Sequence, residues 1–259
     1  MGLDGGRRIR PPAQSAAPHP GLSFSKDGKW FTFTVNRRPP APGSPTPPAP
    51  PRSKVVLVNL ANGSKLEFDG IEIAEFSGEA ATHVALRKSP QPNASTAGTD
   101  LVLRELAGGN ELLLGSVASA SFDKKGRWLA MLVDAAGQIG NGLQIRDMQS
   151  GVIQSLDTAK ASYAGIAWSK EGNSLACTRE MEGKPGEPKR NEIVVLQVNN
   201  GKWERIACDP AADPAFPKDH AISKGSARFT DDASAVLFTI REVKEPKKDP
   251  APKPAEPKK

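Results

Sequence analysis

A phased repeat constrains this chain more than any other feature. The segment LSFSKDGKWFTFTV at 22–35 recurs as ASFDKKGRWLAMLV at 120–133 and as IAWSKEGNSLACTR at 166–179. Weaker copies are AEFSGEAATHVALR at 74–87 and ARFTDDASAVLFTI at 227–240. Each copy is anchored on one aromatic, Phe24, Phe76, Phe122, Trp168 or Phe229, at separations of 52, 46, 46 and 61 residues. Self-similarity at a period of ~20–50 residues marks a repeat architecture, in which each unit buries its apolar face against the next.

A second element lies between consecutive anchors: VVLVNLANGSKLEF at 55–68, LVLRELAGGNELLLG at 101–115, LQIRDMQSGVIQSL at 143–156 and IVVLQVNNGKWERIA at 193–207. In each, two aliphatic, β-branched runs flank a Gly-bearing turn such as Asn62-Gly63 or Asn200-Gly201. That is a hairpin pattern, and Gly and Asn suit its turn because they tolerate positive φ. The repeating unit is therefore two successive hairpins, or four antiparallel strands, which is what a propeller blade requires. A sandwich or barrel also uses many short strands but does not call for a phase mark every 46 residues.

The reading is all-β: a β-propeller of four complete four-stranded blades, at 21–70, 71–118, 119–160 and 163–210, plus a half blade at 225–242, hence an incomplete or open propeller. Its domains are a disordered N-terminus at 1–20, the blades at 21–242 with a proline-rich loop at 37–54, and a disordered Lys/Pro-rich tail at 243–259. Low hydrophobicity leaves such a tail unable to bury enough surface to order itself. The phased aromatics are expected to pack between blades. Phe31, Phe33 and Val35 are expected to face a neighbouring blade, with Thr32 and Thr34 opposite. Closure is what removes sheet edges from a propeller. A chain stopping halfway through a blade therefore implies that first and last hairpins pair or that the chain is part of a longer product.

Charge excludes a nucleic-acid footprint. Of the net +6, residues 1–20 carry +2 and residues 243–259 carry +3, leaving +1 for 21–242. Arg37, Arg38, Arg52 and Lys54 around the proline-rich loop more than account for that remainder. Nucleic-acid binders instead place a basic stripe on a folded face. No apolar run approaches the ~20 residues of a membrane helix. The N-terminus lacks the apolar core of a signal peptide, so the compartment stays open: cytoplasmic as written, exported if the true N-terminus is longer.

The sequence points to no catalytic, cofactor-binding or metal-binding residue, and no cofactor is expected. The sequence holds no GxSxG, GxxxxGK[ST] or HExxH motif. Its three histidines, His19, His83 and His220, have no nucleophile and carboxylate placed around them. Asp27, Glu171, Asp231 and Asp232 sit in turns of separate blades and read as turn formers rather than as converging calcium ligands. The Asn62 and Asn93 sequons are short enough to arise by chance. Cys177 and Cys208 fall on different strands of the fourth blade, too far apart for a bridge at ~5.5–6 Å Cα spacing.

The repeated FSKDGKW, FDKKGRW and WSKEGNS segments resemble the SPDGK-type repeats of TolB-like propellers. With the proline-rich insert of the first blade, SARFTDDASAVLFTI and the Lys-Pro-Glu tail, residues 21–242 resemble the N-terminal propeller of prolyl-oligopeptidase and dipeptidyl-peptidase IV-like serine peptidases. That resemblance implies a non-catalytic propeller that gates peptide access to an α/β-hydrolase domain. The catalytic Ser, Asp and His would all lie in that domain, which is absent from this chain. The implied partners are the hydrolase domain or further blades of a longer product, and peptides or proteins. The alternative is a stand-alone TolB-like or WD-like propeller acting as a protein-binding scaffold.

Overall fold

The computed structural model describes residues 21–35, 53–91, 93–181, 189–206 and 212–243. The segment 1–20, most of the proline-rich loop at 37–54 and all but Val243 of the tail lie outside those residues, as do His19 and Cys208. No α-helix occurs among the described residues. Two compact units divide the chain: one holds the residues through Ala130 with Arg146–Ile153, the other Met131–Ile145 and the residues from Gln154 on.

In the first unit, β1 (Leu22–Phe24), β2 (Trp30–Val35), β3 (Lys54–Asn59) and β4 (Lys65–Asp69) form one antiparallel sheet in chain order. Lys54, expected in the proline-rich loop, instead opens β3. β5 (Ile71–Phe76), β6 (His83–Lys88), β7 (Thr99–Glu105) and β8 (Glu111–Phe122) pair the same way. One face of the first sheet presents Val55 and Leu57, which cluster with Ile71, Phe76, Val84, Leu86 and Leu106 of the second, flanked by Trp30 and Phe68. Leu57 and Leu86 are wholly shielded, and full burial of such a side chain contributes roughly 1.5–3 kcal/mol.

β8 is 12 residues long and does not break at 118–119. Ser116, at φ 58, lies within it. The strand closes the second module and opens a third, ordered β8, β9 (Trp128–Val133), β10 (Gly142–Asp147) and β11 (Ile153–Thr158).

In the second unit, β12 (Ser162–Trp168), β13 (Ser174–Met181), β14 (Arg190–Asn199) and β15 (Lys202–Ile206) form a further four-stranded antiparallel sheet. β12 carries an irregularity between Ala164 and Ala167, where Gly165 has φ +73 and lies so close to Gly225 that a Cβ would collide with it. The Gly225 N–H donates to Thr178 Oγ1 (2.8 Å), and that hydroxyl donates to the Ala164 carbonyl (3.1 Å).

The last hairpin departs from the expected half blade at 225–242. It is two short ladders: β17 (Arg228–Phe229) with β18 (Val236–Leu237), and β16 (His220–Ile222) with β19 (Ile240–Glu242). Residues 220–222, which lie before the expected half blade, thus form a strand. Between the ladders the Ser223 N–H donates to the Thr239 carbonyl (2.8 Å), and the Ser226 hydroxyl accepts from the Thr239 N–H (3.2 Å) and donates to the Ser223 carbonyl (2.8 Å).

The phase mark has a common physical basis. The residue after each aromatic anchor accepts a hydrogen bond from the backbone N–H that starts the next strand. Ser25 Oγ accepts from Trp30 (2.9 Å), Ser77 Oγ from His83 (2.9 Å), Asp123 Oδ1 from Trp128 (2.6 Å), Ser169 Oγ from Ser174 (3.0 Å) and Thr230 Oγ1 from Ala235 (3.1 Å). The first four acceptors are buried, so each satisfies a donor that water cannot reach. Asp27, the turn residue that stands out in the sequence, supports this arrangement by accepting from Ser25 Oγ (2.6 Å) and the Lys29 N–H (3.1 Å).

Within the first unit successive marks also stack. The Glu79 N–H donates to the Lys124 carbonyl (2.8 Å) and the Ala80 N–H to that of Lys125 (3.1 Å). Gly78 and Gly126, both at positive φ, leave no room for a Cβ at this contact.

Candidate functional site

The first sheet carries apolar residues on both faces, and among the described residues only one face is covered, by the cluster around Leu57 and Phe76. Its other face is set by the strand register, which places Leu22 opposite Phe33, Phe24 opposite Phe31, Phe31 opposite Val58 and Phe33 opposite Val56. The Phe24 and Phe31 ring centroids are 4.7 Å apart and those of Phe31 and Phe33 5.6 Å apart. Phe24 is 58% exposed, Val35 43% and Leu22 40%. At the margin Lys54 pairs with Glu67 (2.7 Å).

This corrects two expectations. Among the anchors, Phe76 and Phe122 are buried and Phe229 packs on the cluster around Ile193 and Ile222, while Trp168 meets Trp203 edge-on at 6.0 Å. Phe24 is the exception and lies on the open face. The alternation on β2 is also reversed: Thr32 is buried at 3% exposure, while Val35 is exposed. Strand alternation sets which residues share a face, but burial depends on what the face packs against. Scattered exposed apolar residues are ordinary, whereas a contiguous stacked aromatic set marks an interaction surface. A second sheet is the natural complement of such a face, because two sheets interdigitate their apolar sides ~10 Å apart.

In the second unit, three side chains from different strands converge on one carboxylate. Asp157 of β11 accepts from Tyr163 Oη (2.7 Å), from Arg179 Nη1 (3.0 Å) and from Arg205 Nη1 (3.0 Å). Arg179 Nη2 also donates to Glu192 (2.7 Å). Burial pushes the Tyr163 phenol far above its ordinary value, with the Asp157 hydrogen bond and charge acting the same way. Cys177 is wholly shielded among these groups, and burial pushes its thiol up to about 12, which leaves it without thiolate reactivity at neutral pH. The residue types are distributed over chain segments with no shared motif, so the sequence offered no signal for this cluster.

Of the histidines that lie in described residues, His83 Nδ1 is 2.9 Å from Thr82 Oγ1, and its pKa is lowered chiefly by burial. His220 Nδ1 lies 2.7 Å from the exposed Asp219. The two are not brought together with a nucleophile by any contact seen among the described residues. No group of three or more His, Cys, Asp or Glu side chains suited to a metal ion occurs there either, and no helix among them is long and apolar enough to cross a membrane. Asp27 and Asp232 are turn residues; Asp232 is held at about 2 by the Thr230 hydroxyl and by Ser234. The proposed separation of Cys177 from Cys208 lies outside the described residues.

No protein-family model matches the sequence, and no curated protein matches it. Solved structures do. Dipeptidyl peptidase 4 from Porphyromonas gingivalis superposes with a TM-score of 0.53 at 12% identity, over 86% of this chain and 36% of that one. The β-propeller domain of the Trilobed protease from Pyrococcus furiosus, described as having an open velcro topology, gives 0.48 at 13% identity, over 90% of this chain and 66% of that one. Prolyl oligopeptidase B from Galerina marginata gives 0.49 at 11% identity, over 85% of this chain and 32% of that one. The chain thus spans about a third of the length of the dipeptidyl peptidase. At such identities the likeness is one of fold. With its antiparallel modules, of which the second and third share β8, this chain is an all-β protein of propeller blades that shares its fold with dipeptidyl peptidase 4.

Proposed function

We propose that these blades are the non-catalytic propeller portion of a prolyl-oligopeptidase-like serine peptidase. In this reading they gate the access of peptides to a hydrolase domain supplied outside residues 1–259. The observation that carries the reading is the open aromatic face of Leu22, Phe24, Phe31, Phe33 and Val35 on a sheet whose other face already packs on the next module. A further blade of a longer product would cover it with the same sheet-on-sheet packing. The fold likeness to dipeptidyl peptidase 4 supports the same assignment.

Gating is tested on the natural product that contains these residues. A short peptide and a denatured protein are offered as alternative substrates, and kcat/KM is compared. The expected outcome is cleavage of the short peptide with strong discrimination against the protein. Peptidase activity in isolated 1–259, or equal cleavage of both substrates, would overturn the proposal.

A further inference from the structure

Three Asn-Gly pairs occur in the chain, at 62–63, 141–142 and 200–201. Such a pair is chemically vulnerable, because the backbone nitrogen of the Gly reaches the Asn side-chain carbonyl with no Cβ in its way. The fold treats the three pairs differently.

Asn141 is wholly buried. Its Oδ1 accepts from the Ala135 N–H (2.7 Å), and its Nδ2 donates to Asp134 Oδ1 (2.8 Å) and the Ala161 carbonyl (3.0 Å). Asn62 is exposed, but its Oδ1 accepts from the Ser64 N–H (2.9 Å) and the Gly63 N–H donates to the Asn59 carbonyl (2.8 Å). Target and nucleophile are both engaged there. Asn200 and Gly201 form the two-residue turn between β14 and β15, with Asn199 opposite Lys202. Both are exposed and lie at positive φ, 49 and 78. Neither the Asn200 side chain nor the Gly201 N–H makes a hydrogen bond among the described residues. The turn also sits at the tip of a hairpin that ends in an edge strand, where local opening costs little.

We propose that Asn200 is a site of spontaneous deamidation through a succinimide. The Gly201 nitrogen gives its proton to solvent base and bonds to Asn200 Cγ. The Cγ–Nδ2 bond breaks, and the amide nitrogen leaves as ammonia with a proton taken from water. A second water then opens the ring at either carbonyl, giving aspartate or isoaspartate, and nothing is oxidised or reduced. Isoaspartate adds one atom to the main chain, which a two-residue turn does not absorb without disturbing the Asn199–Lys202 register. β15 carries Arg205, whose Nη1 lies 3.0 Å from Asp157, so the modification loosens the tie between the third and fourth modules. The proposal is independent of the peptidase assignment, and either can fail without the other.

The test holds the full chain at neutral and mildly alkaline pH. Digests are read by mass spectrometry for the amide-to-acid shift, with isoaspartate separated from aspartate. Conversion at Asn200 is expected roughly tenfold faster than at Asn62, equivalent to about 1.4 kcal/mol and on the scale of one net hydrogen bond, with Asn141 slower still. Isoaspartate should be among the products. In denaturing urea the three rates should draw together, since the local chemistry is shared. The isoaspartyl form should melt below Asn200→Asp, which carries the charge without the added main-chain atom. Four results would each overturn the proposal: conversion of Asn62 or Asn141 as fast as Asn200 in the folded chain, a product that is aspartate alone, an unchanged order of rates in urea, or an isoaspartyl form as stable as Asn200→Asp.

Discussion

Arg179 Nη1 lies 3.0 Å from Asp157 Oδ2, and both side chains are nearly closed to solvent, at 13% and 8% exposure. Asp157 belongs to the outer strand of the third module and Arg179 to an inner strand of the fourth. The pair therefore ties one module to the next through a carboxylate that also serves Tyr163 and Arg205.

Asp157→Asn removes the negative charge and leaves the guanidinium of Arg179 largely buried. Breaking a buried pair from one side costs about 3–5 kcal/mol, and because Glu192 still holds Arg179 the loss is expected near the lower figure. Arg205, at 44% exposure, is worth under about 1 kcal/mol by Arg205→Ala. Urea denaturation measures both. Equal losses for the two variants would mean that the carboxylate is not the centre of the cluster.

The side-chain acceptor after each aromatic anchor should matter more than the Asp of the turn. Ser169→Ala takes the acceptor from the Ser174 N–H and should destabilise by about 1–3 kcal/mol, the cost of a buried unmet donor. Asp27→Ala acts at a partly exposed turn and should stay within about 1 kcal/mol. Thermal unfolding of the two variants checks the order.

Gly126 and Gly28 share a left-handed backbone, at φ +75 and +69, but only Gly126 has a neighbour where its Cβ would fall, the Ser77 carbonyl. Gly28→Ala should cost about 1–2 kcal/mol from backbone strain alone. Gly126→Ala should cost clearly more, because the stacked turns must separate. A crystal structure of Gly126→Ala with those turns unmoved would contradict this reading.

Glu75 accepts from the Phe122 N–H (3.0 Å) and Ser121 Oγ (3.2 Å). Burial raises its pKa above 4.5 despite those bonds. The folded state then holds the proton more tightly than the unfolded state. The contribution is full below the unfolded pKa and is lost as pH rises through the folded one. Glu75→Gln should flatten that fall in stability above pH 4.5 and leave the variant more stable at neutral pH. Denaturation midpoints measured from pH 4 to pH 8 test the sign, and a stability gain for wild type over the variant with rising pH would contradict it.

The blade pattern was legible because its signals are local. An aromatic, a hydroxyl or carboxyl acceptor and a Gly-bearing turn lie within a few residues of one another, and their phase repeats. The exposure of Phe24 is not legible in the sequence, since its surroundings depend on a second sheet and not on its own strand. The Asp157 cluster was hidden for a related reason: Asp157 and Arg205 are 48 residues apart and lie on different strands. The last hairpin is two short ladders, not the continuous pair that alternation alone suggests, because Gly225 and Ser226 interrupt it.

The central claim is that these modules belong to a larger serine peptidase. Its most direct test is the mass and sequence of the natural product that reacts with antibodies raised against residues 1–259. Expected is a protein well above 27.5 kDa whose reading frame adds further four-strand modules and a GxSxG segment on a strand-to-helix turn. A 27.5 kDa product with neither feature would contradict it.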